Sequence, residues 1–188
     1  ALDVSIGVYG SMQYIIAPYD VPKAFNLHNI EEIKKAVDIP VIGVGRIHEP
    51  ELAEEAINTG KTDMVAMGRQ SLTDPYLPNK LAGGAQEEIA PCISCLQRCM
   101  GYLFNPEELE ISCLVNPFCG REGEMKISPA EHQKKIIVVG AGPAGLEVAW
   151  IAASRGHKVA LYEKEDEVGG QLKAGAMGPN KQEFIKAI

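Results

Sequence analysis

The chain has 188 residues, a formal net charge of −7, 46% hydrophobic residues and five cysteines. That length supports one sizeable domain or pieces of two; the acidic balance argues against a general nucleic-acid binder, which needs clustered Lys and Arg; and no apolar run approaches the roughly 20 residues of a membrane span. The start lacks Met and the basic-then-apolar order of a signal peptide, so the chain reads as a fragment of a longer protein. A reducing cytosol is the expected compartment, where clustered thiols bind metal or do redox work more often than they form disulfides.

The predicted elements open with a buried strand over Leu2–Val8, then a Tyr- and Pro-containing loop. Apolar residues at 30, 33, 36 and 37 predict an amphipathic helix over Asn29–Val37 with Asn29 as N-cap. Ile39–Gly45 is the next strand. A second helix follows in "EPELAEEAINTG", with Pro50 near its start and Gly60 as its stop. Asp63–Gly68 is a third strand, and short connections make the three parallel neighbours. Two of these strands end in Gly-Arg, at Gly45–Arg46 and Gly68–Arg69. Parallel strands put both pairs on one rim, where exposed backbone N–H groups and forked guanidinium cations suit phosphate. The plainer alternative is that Arg46 and Arg69 pair with acidic residues of neighbouring helices.

Residues 70–90 read as a loop-rich exit, and the cysteines follow as Cys92-x2-Cys95-x3-Cys99-x13-Cys113-x5-Cys119. An odd count serves a disulfide framework poorly. A zinc ribbon needs two C-x2-C pairs, only one is present, and no His stands where a mixed zinc site needs it. Three close cysteines plus a distant fourth suit a [4Fe–4S] cubane, leaving Cys113 and Cys119 as candidates for the fourth corner. Beyond a polar linker, "KIIVVGAGPAGLEVAWIAASRGHKVALYEKE" reads as strand, glycine turn, helix and strand. Gly140, Gly142 and Gly145 form G-x-G-x-x-G: the first allows the turn, the second admits a pyrophosphate to the backbone, and the third lets helix and strand pack. Glu163 ends the second strand, placed to accept from a ribose hydroxyl. Trp150 is expected to pack, His48 to serve helix entry, and His157 to lie in the helix–strand turn.

In series, "IPVIGVGRI", "DMVAMGR", "DPYLPNK", "CISCLQRC", "SCLVNP" and "VVGAGPAGLEVA…YEKEDEVGGQL" resemble the iron–sulfur flavoenzyme branch of the Old Yellow Enzyme family. That branch holds 2,4-dienoyl-CoA reductases, enoate reductases and trimethylamine dehydrogenase. The resemblance implies an α/β architecture: residues 1–83 as the C-terminal part of an FMN-binding (β/α)8 TIM barrel, 84–120 as a cluster segment, 121–134 as linker, and 135–188 as the start of a Rossmann-like FAD/NAD(P)-binding domain. It implies electron flow from NAD(P)H to FAD, the [4Fe–4S] cluster and FMN, and reduction of an activated C=C bond in an unsaturated acid or thioester. The alternatives are an amine dehydrogenase of the same build and a non-catalytic zinc-stabilised nucleotide-binding module. Partners are then a small molecule, without nucleic acid or membrane, with homo-oligomer formation open. By position, Gly45, Arg46, Gly68 and Arg69 would hold the FMN phosphate. Cys92, Cys95, Cys99 and Cys113 would ligate the cluster, because "SCLVNP" places Cys113 before a turn and matches the family motif. Ala144, Gly170 and Gln171 would join the three glycines and Glu163 at FAD. Tyr9 stands where the dienoyl-CoA reductases carry a His and is the candidate proton donor.

Overall fold

A computed structural model describes residues 1–101, 105, 107 and 110–187, with side chains given through residue 185. It divides into two compact units, Ala1–Gly120 and Arg121–Ile188. Among the described residues no helix is long and apolar enough to cross a membrane.

The first unit is built on three parallel strands in spatial order, β1 (Leu2–Val4), β2 (Val41–Gly43) and β3 (Met64–Val65). Leu2 pairs with Val41 and Ile42 with Met64, so all three strands end at the same sheet edge. The first strand is shorter than its apolar run predicts, because the chain turns away at Gly7 (φ +105°) into a 3-10 turn, Tyr9–Ser11, and helix α1 (Met12–Ile15). Helix α2 (Leu27–Ala36) lays Ile30 against Val4 and Val41, all at most 5% exposed, with Leu27, Ile33 and Val37 around them. Its N-cap is Asn26, not Asn29. Asn26 is fully buried and donates to the carbonyls of Val4 (3.1 Å) and Val44 (2.9 Å), while Asn29 donates to its side-chain oxygen. Burial of an amide this deep is stable because its hydrogen-bonding groups are used. Helix α3 (Pro50–Asn58) starts on proline and stops at Gly60, whose φ of +72° suits a left-handed helix end.

The stretch read as loop is largely helical: α4 (Gly68–Thr73), α5 (Leu77–Ala82) and a 3-10 turn at Gln86–Glu88. In the second unit β4 (Lys135–Val139) and β5 (Lys158–Tyr162) pair in parallel around α6 (Pro143–Ser154), and α7 (Gln171–Ala176) follows. His157 lies in the α6–β5 turn, where its Nδ1 accepts from the Lys134 amide. Trp150, expected to pack, is 53% exposed. A 3-10 helix over Gln182–Ala187 ends the unit; Ile188 lies outside the described residues.

Candidate functional site

The two Gly-Arg pairs lie beyond the C-terminal ends of β2 and β3, but their arginines differ. Gly45 has φ +152°, and a Cβ there would come within 2.7 Å of Asn26 Cβ, so this turn accepts only glycine beside the buried amide. Arg46 itself has φ +54° and is 7% exposed. Its Nη1 donates to the Val21 carbonyl and its Nε to Ser94 Oγ (3.2 Å). Gly68 opens α4, and the Arg69 Nη1 donates to the Ala17 carbonyl (2.6 Å). Burial lowers the Arg69 pKa, opposed by the nearby thiols of Cys92, Cys99 and Cys95. Tyr9 is 90% exposed in this unit.

Arg69 also walls a hollow of about 330 Å³, open mouth included, whose lining contains Cys92, Cys95, Cys99 and Cys113 together with Thr73 and Ser94. Cys119 is 1% exposed and does not line the hollow. Burial pushes the Cys99 thiol up to about 11, reinforced by Cys95 and Cys92 and opposed by Arg69. Burial likewise raises Cys95. Cation ligation of thiols placed this way would offset both the lost hydration and the mutual repulsion of the thiolates.

Which cation follows from spread. A single zinc ion holds sulfur at about 2.3 Å, so its four thiolates stand roughly 4 Å apart. Among the described residues no three His, Cys, Asp or Glu side chains gather tightly enough for one ion. Four thiols spaced around a common hollow suit a larger body whose corners each take one sulfur. By residue type, four thiols lining one hollow are a donor set that an iron–sulfur cluster uses.

Polar groups from the sheet side hold this loop in place. Gln70, 1% exposed, accepts from the Cys92 amide (2.7 Å) and donates to the Ala90 carbonyl (2.8 Å). Asp74 accepts from the Ala90 amide (3.0 Å) and from Lys80 (2.7 Å). Asn116 donates to the Leu72 carbonyl (2.9 Å). Ser94 and Leu96 sit at φ +51° and +58°, a region non-glycine residues enter at a cost of about 1–2 kcal/mol each. Ser94 is pinned there by Arg46 and by His48, whose Nε2 lies 2.9 Å from its Oγ. Burial, with Arg69, Arg46 and Lys23 nearby, lowers the His48 pKa to about 3, so the ring is neutral. Sequence reading missed Asn26, His48, Gln70, Asp74 and Ser94 as builders of this region.

The glycine turn of the second unit is equally specific. Gly140 has φ +98°. A Cβ on Gly145 would fall 1.9 Å from the Gly140 carbonyl oxygen, so helix and strand approach only through glycine. The Glu163 Oε2 accepts from the Ala141 amide (2.6 Å) and its Oε1 from Lys164 and Glu165. These backbone bonds, led by that of Ala141, lower its pKa. Gly170 lies against Gly142, where a Cβ on Gly170 would come 3.2 Å from the Gly142 Cα, and the Gly169 amide donates to the Ala141 carbonyl. Thus the second glycine pair closes directly onto the first turn. Ala144 lies in the first turn of α6, and Gln171 begins α7.

Residues 12–88 match the NADH:flavin oxidoreductase / NADH oxidase family, and residues 138–183 match an NAD(P)-binding Rossmann-like domain. An NADH oxidase of Thermoanaerobacter brockii is 47% identical across 96% of this chain. Residues 12–88, the body of the first unit, belong to the NADH:flavin oxidoreductase / NADH oxidase family. A cinnamate reductase of Clostridium sporogenes is 44% identical over 94% of the chain. A solved 2-naphthoyl-CoA reductase in complex with 2-naphthoyl-CoA superposes at TM-score 0.91 with 35% identity, covering 98% of this chain. The chain spans only 28%, 26% and 28% of these three proteins, in that order.

Proposed function

We propose that this chain is part of an NAD(P)H-dependent flavin and iron–sulfur oxidoreductase that reduces an activated C=C bond in an enoate or enoyl thioester. The observation that carries the reading is the four-thiol hollow walled by Arg69, in a unit of the FMN family and followed in sequence by a built dinucleotide turn. The similarity to proteins named cinnamate reductase and 2-naphthoyl-CoA reductase supports the alkene class. When bound, the groups supply the redox chemistry, passing electrons from NAD(P)H by FAD and a [4Fe–4S] cluster to FMN and on to the alkene.

The chain's own residues bind and orient. Gly45, Arg46, Gly68 and Arg69 form the phosphate side of the FMN site. Cys92, Cys95, Cys99 and Cys113 hold the cluster. Gly140, Gly142, Ala144, Gly145, Gly170 and Gln171 shape the FAD turn. Glu163 keeps lone pairs for a ribose hydroxyl beyond those used by the turn amides. Tyr9, beyond the end of β1, carries a phenol that delivers the proton.

Anaerobic reduction of the full-length protein with NAD(P)H, followed by an α,β-unsaturated acid or thioester, tests the reading. Reoxidation of the flavin by the alkene is expected. Reduced flavin that no alkene reoxidises overturns it, and bleaching by a small amine instead turns it to the dehydrogenase direction. One zinc per chain without acid-labile sulfide would leave only a nucleotide-binding module.

A further inference from the structure

The four thiols do not share one polar environment. The Cys92 amide is committed to Gln70 Oε1, at 2.7 Å. At Cys113 the donors turn toward the sulfur. The Val115 amide donates to Cys113 Sγ at 3.4 Å, and Thr73 Oγ1 stands 3.7 Å from the same sulfur. Both are ordinary reaches for a hydrogen bond to sulfur, whose atom is larger than oxygen.

Thr73 is 4% exposed, so its hydroxyl has no solvent to turn to. As the chain stands, it sits 3.1 Å from the Arg69 carbonyl, one helical turn back, and donates there. A serine or threonine in a helix makes this bond readily, but the acceptor does not depend on it. That carbonyl is also the i−4 partner of the Thr73 amide in the helical ladder. The hydroxyl has one hydrogen and two acceptors within reach. While Cys113 is a thiol, the sulfur can itself donate to Thr73 Oγ1. Once Cys113 gives up its proton to become a ligand, the sulfur can only accept, and the hydroxyl is a side-chain donor beside it.

We propose that Thr73 is a positioning residue whose hydroxyl rotates from the Arg69 carbonyl to the ligating Cys113 sulfur, stabilising the reduced state of the cluster held by the four cysteines. The inference rests on Cys113 being the fourth ligand. The step is one electron from reduced flavin into the cluster: no atom moves with it, and the hydrogen stays on Thr73 Oγ1. The added negative charge spreads onto the thiolate sulfurs, and a donor hydrogen bond to one of them favours the reduced form, raising the potential. With Val115 on the same sulfur, Cys113 becomes a doubly hydrogen-bonded corner.

The test uses the full-length protein with its cofactors. Thr73→Val keeps the side-chain shape and removes the hydroxyl, whereas Thr73→Ser restores it; Thr73→Ala serves if the valine variant does not fold. Iron and acid-labile sulfide are measured first, then the cluster potential by anaerobic titration followed by electron paramagnetic resonance. With the cluster intact, the variants lacking the hydroxyl are expected to shift the reduced-to-oxidised ratio at fixed potential several-fold, up to tenfold, toward the oxidised form. Tenfold corresponds to 59 mV for one electron. Thr73→Ser returns the ratio to that of the parent. An unchanged potential in an intact variant without the hydroxyl overturns the proposal. Absence of iron and sulfide from the parent protein would instead overturn the cluster reading beneath it.

Discussion

Replacing Gln70 with leucine should loosen the cysteine loop without touching a thiol. The amide spans Ala90 and Cys92, satisfying a backbone donor and a backbone acceptor on either side of Pro91, which itself has no N–H. Leucine fills similar volume and leaves both groups without their partner. A buried group stranded in this way costs about 1–3 kcal/mol. Ala90 and Cys92 are half-buried, so water recovers part of each bond in the variant. A net loss of about 2 kcal/mol follows from that discount. The measurement is hydrogen exchange in the folded full-length protein, followed through peptides covering residues 89–99. Exchange reads local opening, which a global unfolding curve of a multi-unit protein does not resolve. At about 1.4 kcal/mol per decade, protection at Cys92 and its neighbours should fall roughly 30-fold, with protection in β4 and β5 unchanged. The leucine variant should also lose iron and sulfide faster on dilution with a chelator. If the 89–99 peptides exchange at the parent's rate, the Gln70 amide does not hold the loop.

The other expectations concern ligand choice, burial and the glycine turn. Cys113→Ser should lose most of its iron and sulfide while Cys119→Ser keeps them, read by metal analysis; the reverse result would exchange the fourth ligand. Gly145→Ala should cost upwards of about 3 kcal/mol, since its Cβ would sit 1.9 Å from a backbone oxygen that cannot leave the turn, and the purified protein should show FAD depleted relative to FMN. His48 has its pKa lowered from 6.5 to about 3 by burial first and by Arg69, Arg46 and Lys23 after it. Between these values the unfolded chain binds the extra proton and the folded chain does not. The His48 contribution is therefore complete above pH 6.5 and is lost as pH falls toward 3, with a slope of at most about 1.4 kcal/mol per pH unit. The apparent melting temperature of His48→Gln should depend less on pH than the parent's across that window.

The glycine turn was legible because its parts lie within one strand–helix–strand unit. The turn follows β4, the acid follows β5, and parallel pairing from Lys135–Lys158 to Val139–Tyr162 brings the two together by connectivity alone. The three parallel strands and helices α2 and α3 were legible for the same reason: local apolar spacing and a terminal glycine encode them. Helix α4 was not. Six residues are fewer than two turns, too short for an apolar stripe, and "SLTDP" carries the residue types of a turn. Reading it as loop hid the element that supplies Arg69, Gln70 and Thr73 to the cysteine hollow. The cap of α2 was misplaced by a related cause. Asn29 precedes the apolar run, but Asn26 is the residue held by carbonyls of two strands, and only the folded sheet brings those carbonyls together.

Distance along the chain explains the remaining omissions. His48 meets Ser94 across 46 residues, Thr73 meets Cys113 across 40, and Gln70 meets Cys92 across 22. Pairings of that range leave no periodic trace. They nevertheless decide how the cysteines behave, because a C-x2-C loop with left-handed Ser94 and Leu96 is strained on its own and must be held by something outside itself. Arg46 and His48 hold Ser94, while α4 holds Cys92 through Gln70 and adjoins Cys113 through Thr73. The spacing of the thiols carries the proposed chemistry, and the polar residues of the first unit's sheet side and α4 hold the loop that presents them.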